Sequence, residues 1–309
     1  MKLKKKLFFI LFLLSFISAC GGRVENGKED GLLNVYTTMY PLQFFAEQIG
    51  GQFVLVENIV PVGADVHTFE PTAKTMTKVA EGDLFIYNGA GMDGFVDAFV
   101  SVLEKEKVHI VKATEGISLR HADEHDHDHN HDHEHGDIDP HVWLDPVLAI
   151  AMAENIKNAL IDLLPDEKET FAANFLELKN ELEKIDAEIL QMVKESQKNE
   201  FLVSHGAYGY WQDRYGIKQI SVTGLSPTNE PSVKQMEELI KKAKQIGVRY
   251  IAFEKNLPVK VAETIQKEAN LEVVYLNNLE TLTEEDVKNG EDYFSLMRKN
   301  IESLRLLLK

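Results

Sequence analysis

Runs of β-branched and aromatic residues alternate with helical patterns twice along this 309-residue chain. That alternation restricts the fold more than any other feature. Residues 32–39, 53–60, 83–87 and 108–111 read as strands, with helices over 42–49, 72–80 and 95–103. A second series begins near Phe201: strands at 201–203, 219–222, 250–253 and 273–276, helices at 233–246 and 259–268. Strands separated by helices build a mostly parallel sheet with covering helices. The expected fold class is therefore α/β with two lobes, over residues 32–164 and 198–309.

A long helical stretch lies between the two series. Asp145-Pro146 offers an N-cap and a proline at the first helical position, opening a helix to about residue 164. Pro165 and Asp166 restart the pattern, and Phe171, Phe175, Leu178, Leu182, Ile185, Ile189 and Val193 follow at spacings of three or four. This spacing predicts an amphipathic helix of roughly 30 residues, about 45 Å long. A coiled-coil dimer is the alternative, but the stripe covers only about three heptads. The reading adopted is a monomer in which residues 165–197 form a rigid spine between the lobes, allowing only small relative motion.

The N-terminus carries an address. Lys2, Lys4, Lys5 and Lys6 precede an apolar run over 7–17, then Ser18-Ala19-Cys20. The run is about 11 residues, against the roughly 20 needed to span a bilayer. This pattern resembles a bacterial lipoprotein signal, 1–19, cleaved before a lipid-bearing Cys20, with residues 20–31 as a polar tether. The expected location is extracytoplasmic, lipid-anchored to the cell membrane or periplasmic. Cys20 is the only cysteine, so no intramolecular disulfide forms. A net charge of −17 argues against a nucleic-acid partner, which needs a basic footprint.

Histidine placement points to the chemistry. Seven of the eleven histidines, His121, His125, His127, His129, His131, His133 and His135, lie in one acidic segment without lysine or arginine. Such composition cannot form a packed core, so residues 120–138 are expected to be a disordered loop. Imidazole suits zinc, copper, nickel and iron, which makes the loop a weak, multi-site metal collector; a solvated charge run is the bland alternative. His109 lies inside a strand pattern and reads as structural. His67 instead sits in a turn-rich loop directly after a strand, His141 follows Asp139-Pro140, and His205 ends the first strand of the second lobe. The C-terminal ends of parallel strands are where open α/β sheets bind ligands. Two lie in one lobe and one in the other, so they can converge on an interlobe cleft.

Several motifs now carry a family resemblance. They are Pro-x-Gly-x-Asp-x-His-x-x-Glu-Pro at 61–71, His-x-Trp-Leu-Asp-Pro at 141–146, Ser-His-x-Ala-Tyr at 204–208, and Gly-Leu-Ser-Pro-Thr-Asn-Glu-Pro-Ser at 224–232. Together they resemble the zinc/manganese-specific solute-binding lipoproteins of bacterial ABC uptake systems, nearest to the zinc branch. The resemblance implies one metal buried between two α/β lobes and delivery to an ABC permease with its ATPase subunit. It also implies a ligand set of His67, His141, His205 and a carboxylate from the segment around 276–283, for which Glu280 is the candidate. Water in place of Glu280 is the alternative. Three imidazoles and one carboxylate suit four-coordinate Zn(II), while Mn(II) prefers more oxygen, which a bidentate Glu280 would supply.

Other signals compete. Gly89-Ala-Gly91-Met-Asp-Gly94, with Glu115 downstream, fits a dinucleotide fingerprint, but a strand–helix turn is the preferred reading. Ser204 and His205 are adjacent in a strand and face opposite ways, so they do not form a nucleophile–base pair. Asp65, Glu230 and Glu254 are candidates for orienting the imidazoles. The rival functions are a manganese importer or adhesin-like lipoprotein of the same fold, and a cell-surface zinc hydrolase with Glu70 or Glu254 as base. No His-Glu-x-x-His motif supports the hydrolase, and a non-enzymatic binding protein is expected.

Overall fold

The computed structural model describes residues 31–92, 94–121, 138–257 and 260–309. The signal segment, Cys20, the tether up to residue 30, and His125, His127, His129, His131, His133 and His135 lie outside the described residues.

The first series folds into strands β1 (Leu33–Thr37), β2 (Val54–Asn58), β3 (Leu84–Tyr87) and β4 (His109–Lys112). All pair in parallel, in the order β2-β1-β3-β4. The intervening helices are α1 (Tyr40–Gly50), α2 (Ala73–Ala80) and α3 (Val96–Leu103). Thr72 caps α2 by accepting the Thr75 amide, which sets the start one residue later than the apolar pattern alone suggests. Gly89, Ala90 and Gly91 all have positive φ, so the glycine-rich run is a tight turn between β3 and α3. His109 pairs beside Leu84 in the sheet.

The second series repeats the plan with β5 (Glu200–Val203), β6 (Lys218–Ser221), β7 (Tyr250–Glu254) and β8 (Glu272–Leu276), parallel in the order β6-β5-β7-β8. Between the sheets run α4 (Pro146–Leu163) and the 28-residue α5 (Lys168–Glu195). Asp145 caps α4 through the amides of Val147 and Leu148, as Asp-Pro at a helix start requires. The chain adds α6 (Gly209–Tyr215), α7 (Val233–Ile246), α8 (Lys260–Glu268), α9 (Glu284–Asn289) and α10 (Tyr293–Leu307). Helices α6, α9 and α10 are additions to the elements expected from the sequence.

The spine is more than a connector. Phe171, Leu178, Leu182, Ile185, Ile189 and Met192 of α5 are buried, and they belong to one apolar core that runs from Val35 and Phe85 of the first sheet to Val203 and Leu304. Each such side chain contributes roughly 1.5–3 kcal/mol by leaving water. A smaller core, including Leu202, Ile251 and Ile265, lies between the second sheet and its outer helices. Two fully buried tryptophans tie the sheets' loops together. Trp143 Nε1–H donates to the Asn278 carbonyl at 2.7 Å, and Trp211 Nε1–H to that of Leu144 at 2.8 Å. Among the described residues no helix is long and apolar enough to cross a membrane.

Candidate metal centre

Four loops following strands or their connectors meet at one point. His67 comes from the turn-rich segment after β2, where the Asp65 carboxylate accepts its backbone N–H at 2.9 Å and the Thr68 hydroxyl at 3.1 Å. Asp65 thus shapes the loop rather than orienting the imidazole. His141 follows Asp139-Pro140. Asp139 Oδ1 accepts both its backbone N–H, at 3.0 Å, and its ring Nδ1–H, at 2.8 Å. Asn88, just beyond β3, donates to the Pro140 carbonyl at 3.0 Å and fixes that segment. His205 lies just after β5, and its Nδ1 meets Glu254 Oε2, at the end of the neighbouring β7, at 3.0 Å. In both rings the backing carboxylate holds a proton on Nδ1, and in His141 this leaves Nε2 facing Glu280 Oε1.

Glu280 enters from the loop after β8. Its backbone N–H donates to Asn278 Oδ1 at 3.1 Å, and its carbonyl accepts the Tyr40 N–H of α1 at 2.9 Å. The preceding Leu279 is fully buried with φ of 60°, the left-handed region, which costs a non-glycine residue roughly 1–2 kcal/mol. Asn277 Oδ1 accepts the Leu279 N–H at 2.7 Å and helps hold this turn.

The result is a dry cluster of donors. His141, His205 and Glu280 are fully buried, and the His67 side chain is 9% exposed. Ring centroids of the three histidines lie 5.0–5.6 Å apart, and one ligand atom from each of the four residues falls within 4.8 Å of the others. Glu280 Oε1 stands 3.4 Å from Nε2 of both His67 and His141. Those two nitrogens and both Glu280 oxygens are buried without a hydrogen-bond partner. Buried polar atoms left unpaired cost about 1–3 kcal/mol each, so four at one point call for an ion between them. A tetrahedral Zn(II) with bonds of about 2.0–2.1 Å puts its ligand atoms about 3.3–3.4 Å apart. The donors present fit that ion.

The electrostatics agree. Burial on its own lowers the His141 pKa, but the Asp139 and Glu280 carboxylates outweigh it and raise the value to about 9. His205 is likewise pulled down by burial and raised overall, chiefly by Glu254. Burial pushes Glu280 up, yet His141 and His67 hold its carboxyl well below the usual range. The site is an anionic pocket that attracts protons when no metal is there. His205 Nε2 also meets the Leu225 carbonyl at 3.0 Å. A carbonyl can only accept, so this nitrogen carries a proton in the metal-free site, and a metal held by His205 Nε2 would have to replace that contact.

All four candidates singled out from the sequence come together, and Glu254 does back His205. Glu230 is exposed within the Gly224–Ser232 segment and is not among the residues that gather at the imidazoles. Ser204 and His205 lie beyond the end of β5 rather than within it, so the strand alternation expected to separate them does not apply; among the described residues the buried Ser204 hydroxyl has no hydrogen-bond partner. His121 lies apart from the cluster, in an antiparallel bridge with Ile138 that closes the His-rich segment three residues before His141. Sequence reading missed Asp139, although an aspartate two residues before a candidate histidine was a usable signal, and missed Asn278.

The profile of the zinc-uptake complex component A, periplasmic, matches residues 35–306. The chain belongs to this family. It is 37% identical over 97% of its length to the zinc-binding lipoprotein AdcA of Streptococcus pneumoniae, of which the match covers 60%. The chain thus spans about three fifths of that relative. It is 36% identical to the high-affinity zinc uptake system protein ZnuA of Bacillus subtilis, over 98% of both chains. The Zn(II)-bound ZnuA-like domain of the pneumococcal AdcA superposes with a TM-score of 0.77 at 36% identity, covering 90% of this chain and 99% of that one. A laminin-binding protein of Streptococcus agalactiae, described as having adhesin and metal-transporting activity, gives 0.78 at 29% identity, over 90% and 100%.

Proposed function

We propose that this protein captures Zn(II) between its two lobes, through His67, His141, His205 and Glu280, and delivers it to an ABC permease served by an ATPase subunit. The observation that carries the reading is the buried four-residue cluster in which Glu280 Oε1 stands the edge length of a tetrahedral zinc site from the unpartnered Nε2 atoms of His67 and His141. Family membership and the zinc-uptake names of the relatives support it. A hydrolase would keep one metal position open for water and set a base beside it. Here Glu280 supplies a fourth protein donor, and Glu254 is occupied by His205, Tyr208 and Asn278, so we assign binding and not catalysis.

In this scheme His121, His125, His127, His129, His131, His133 and His135 raise the local metal concentration. A lipid on Cys20 would tether the monomer to the membrane. Competitive titration of Zn(II) against Mn(II), on protein lacking residues 122–137, tests the assignment. One tight Zn(II) that excess Mn(II) does not displace is expected. Comparable Mn(II) binding would move the protein to manganese transport, and loss of all tight binding would make the His-rich segment the receptor.

A further inference from the structure

Asn278 is fully buried and touches the support of three of the four donor residues. Its Nδ2–H donates to Glu254 Oε2 at 3.2 Å, the same oxygen that receives His205 Nδ1–H. Its Oδ1 accepts the Glu280 backbone N–H at 3.1 Å. Its carbonyl accepts Trp143 Nε1–H, two residues beyond His141 and from the other lobe's connector. The partners fix the amide's orientation, because a carboxylate can only accept and a backbone N–H can only donate. The loop is braced further by Asn300, which donates to the Asn277 carbonyl and accepts the Asn277 N–H, both at 2.8 Å.

We propose that Asn278 is the positioning residue that couples His205 to Glu280 and holds the site in four-coordinate geometry, so that it sets the preference for zinc over manganese. The inference rests on the zinc-site reading above. A donor and an acceptor are needed at opposite sides of one short side chain, and asparagine supplies both. Aspartate has the same size but sets a second carboxylate against Glu254, so His205 and Glu280 can no longer both keep their places. A Glu280 released from this brace can turn to offer both oxygens and admit water, which favours a larger, oxygen-seeking ion such as Mn(II).

The test compares wild type with Asn278→Asp and Asn278→Ala, the second removing both side-chain bonds without adding charge. Far-UV circular dichroism and melting of the metal-free proteins identify which variants fold. Zn(II) and Mn(II) affinities are measured by chelator competition, and the visible absorption of the cobalt(II)-loaded protein reports coordination number. In whichever variant folds, Zn(II) affinity should fall about 10- to 100-fold. Mn(II) affinity should fall less, narrowing the ratio at least tenfold, and the intense four-coordinate cobalt band should weaken. An unchanged cobalt band with equal losses for both metals, or with no loss, would overturn the inference and leave the site reading intact. A wild-type protein without the intense cobalt band would sink the site reading and this inference with it.

Discussion

Protons and zinc should compete for the same nitrogens over an unusually wide pH range. Without metal, Asp139 and Glu280 overcome burial and raise His141 to about 9, whereas an unfolded chain holds its histidines near 6.5. Below about pH 9, then, every zinc bound displaces a proton from His141. Apparent affinity should rise about tenfold per pH unit from this group alone, or roughly 100-fold between pH 6 and 8. His205 is raised as well and steepens the slope. For the metal-free fold, a raised folded-state pKa stabilises fully below about 6.5 and is lost as pH climbs through about 9. The span is worth about 3 kcal/mol. Chelator competition at half-unit steps, on protein lacking residues 122–137, measures the first effect; melting of the metal-free protein measures the second. Affinity that is flat between pH 6.5 and 8.5, with a metal-free melting point that does not fall from pH 6.5 to 9, would refute the reasoning.

Glu280→Gln keeps the shape of the side chain but removes the charge that His67 and His141 face; zinc affinity in the chelator assay should drop at least about 100-fold, with far-UV circular dichroism unchanged. Zinc should alter amide hydrogen exchange over residues 225–232, because the Leu225 carbonyl meets the His205 nitrogen the metal needs; identical exchange with and without metal would contradict this. Leu182→Ala opens a cavity at a fully buried position of α5 and should cost about 2–5 kcal/mol in urea unfolding, while zinc stoichiometry stays at one.

The two sheets were legible in the sequence because each strand is a short β-branched run whose neighbours are amphipathic helices. Boundaries shifted by a residue or two where a cap decides them, as at Thr72 before α2. The spine was legible from its stripe, and the structure trades Val193 for Met192 on the buried face. Helix α10 was legible as well: Tyr293, Leu296, Met297, Ile301, Leu304 and Leu307 recur at helical spacing behind the Asp292–Ser295 capping box, a signal passed over in the sequence. In the site, His67 stood out in a loop after a strand, His205 at a strand's end and His141 beside Asp139-Pro140. Glu280 is one of 50 acidic residues, and only the family resemblance singled it out. The partners behind the donors were harder to see. Glu254 and Asn278 lie 24 residues apart, and Asn278 and Trp143 lie 135 apart. Such pairings exist only once the two sheets have set their loops against each other.

Anomalous diffraction at the zinc edge, on crystals of the zinc-loaded protein lacking residues 122–137, bears most directly on the whole scheme. A single strong peak should appear about 2.0–2.1 Å from Nε2 of His67, His141 and His205 and at a similar distance from Glu280. A peak elsewhere, or one bound by fewer than three of these side chains, would contradict the account.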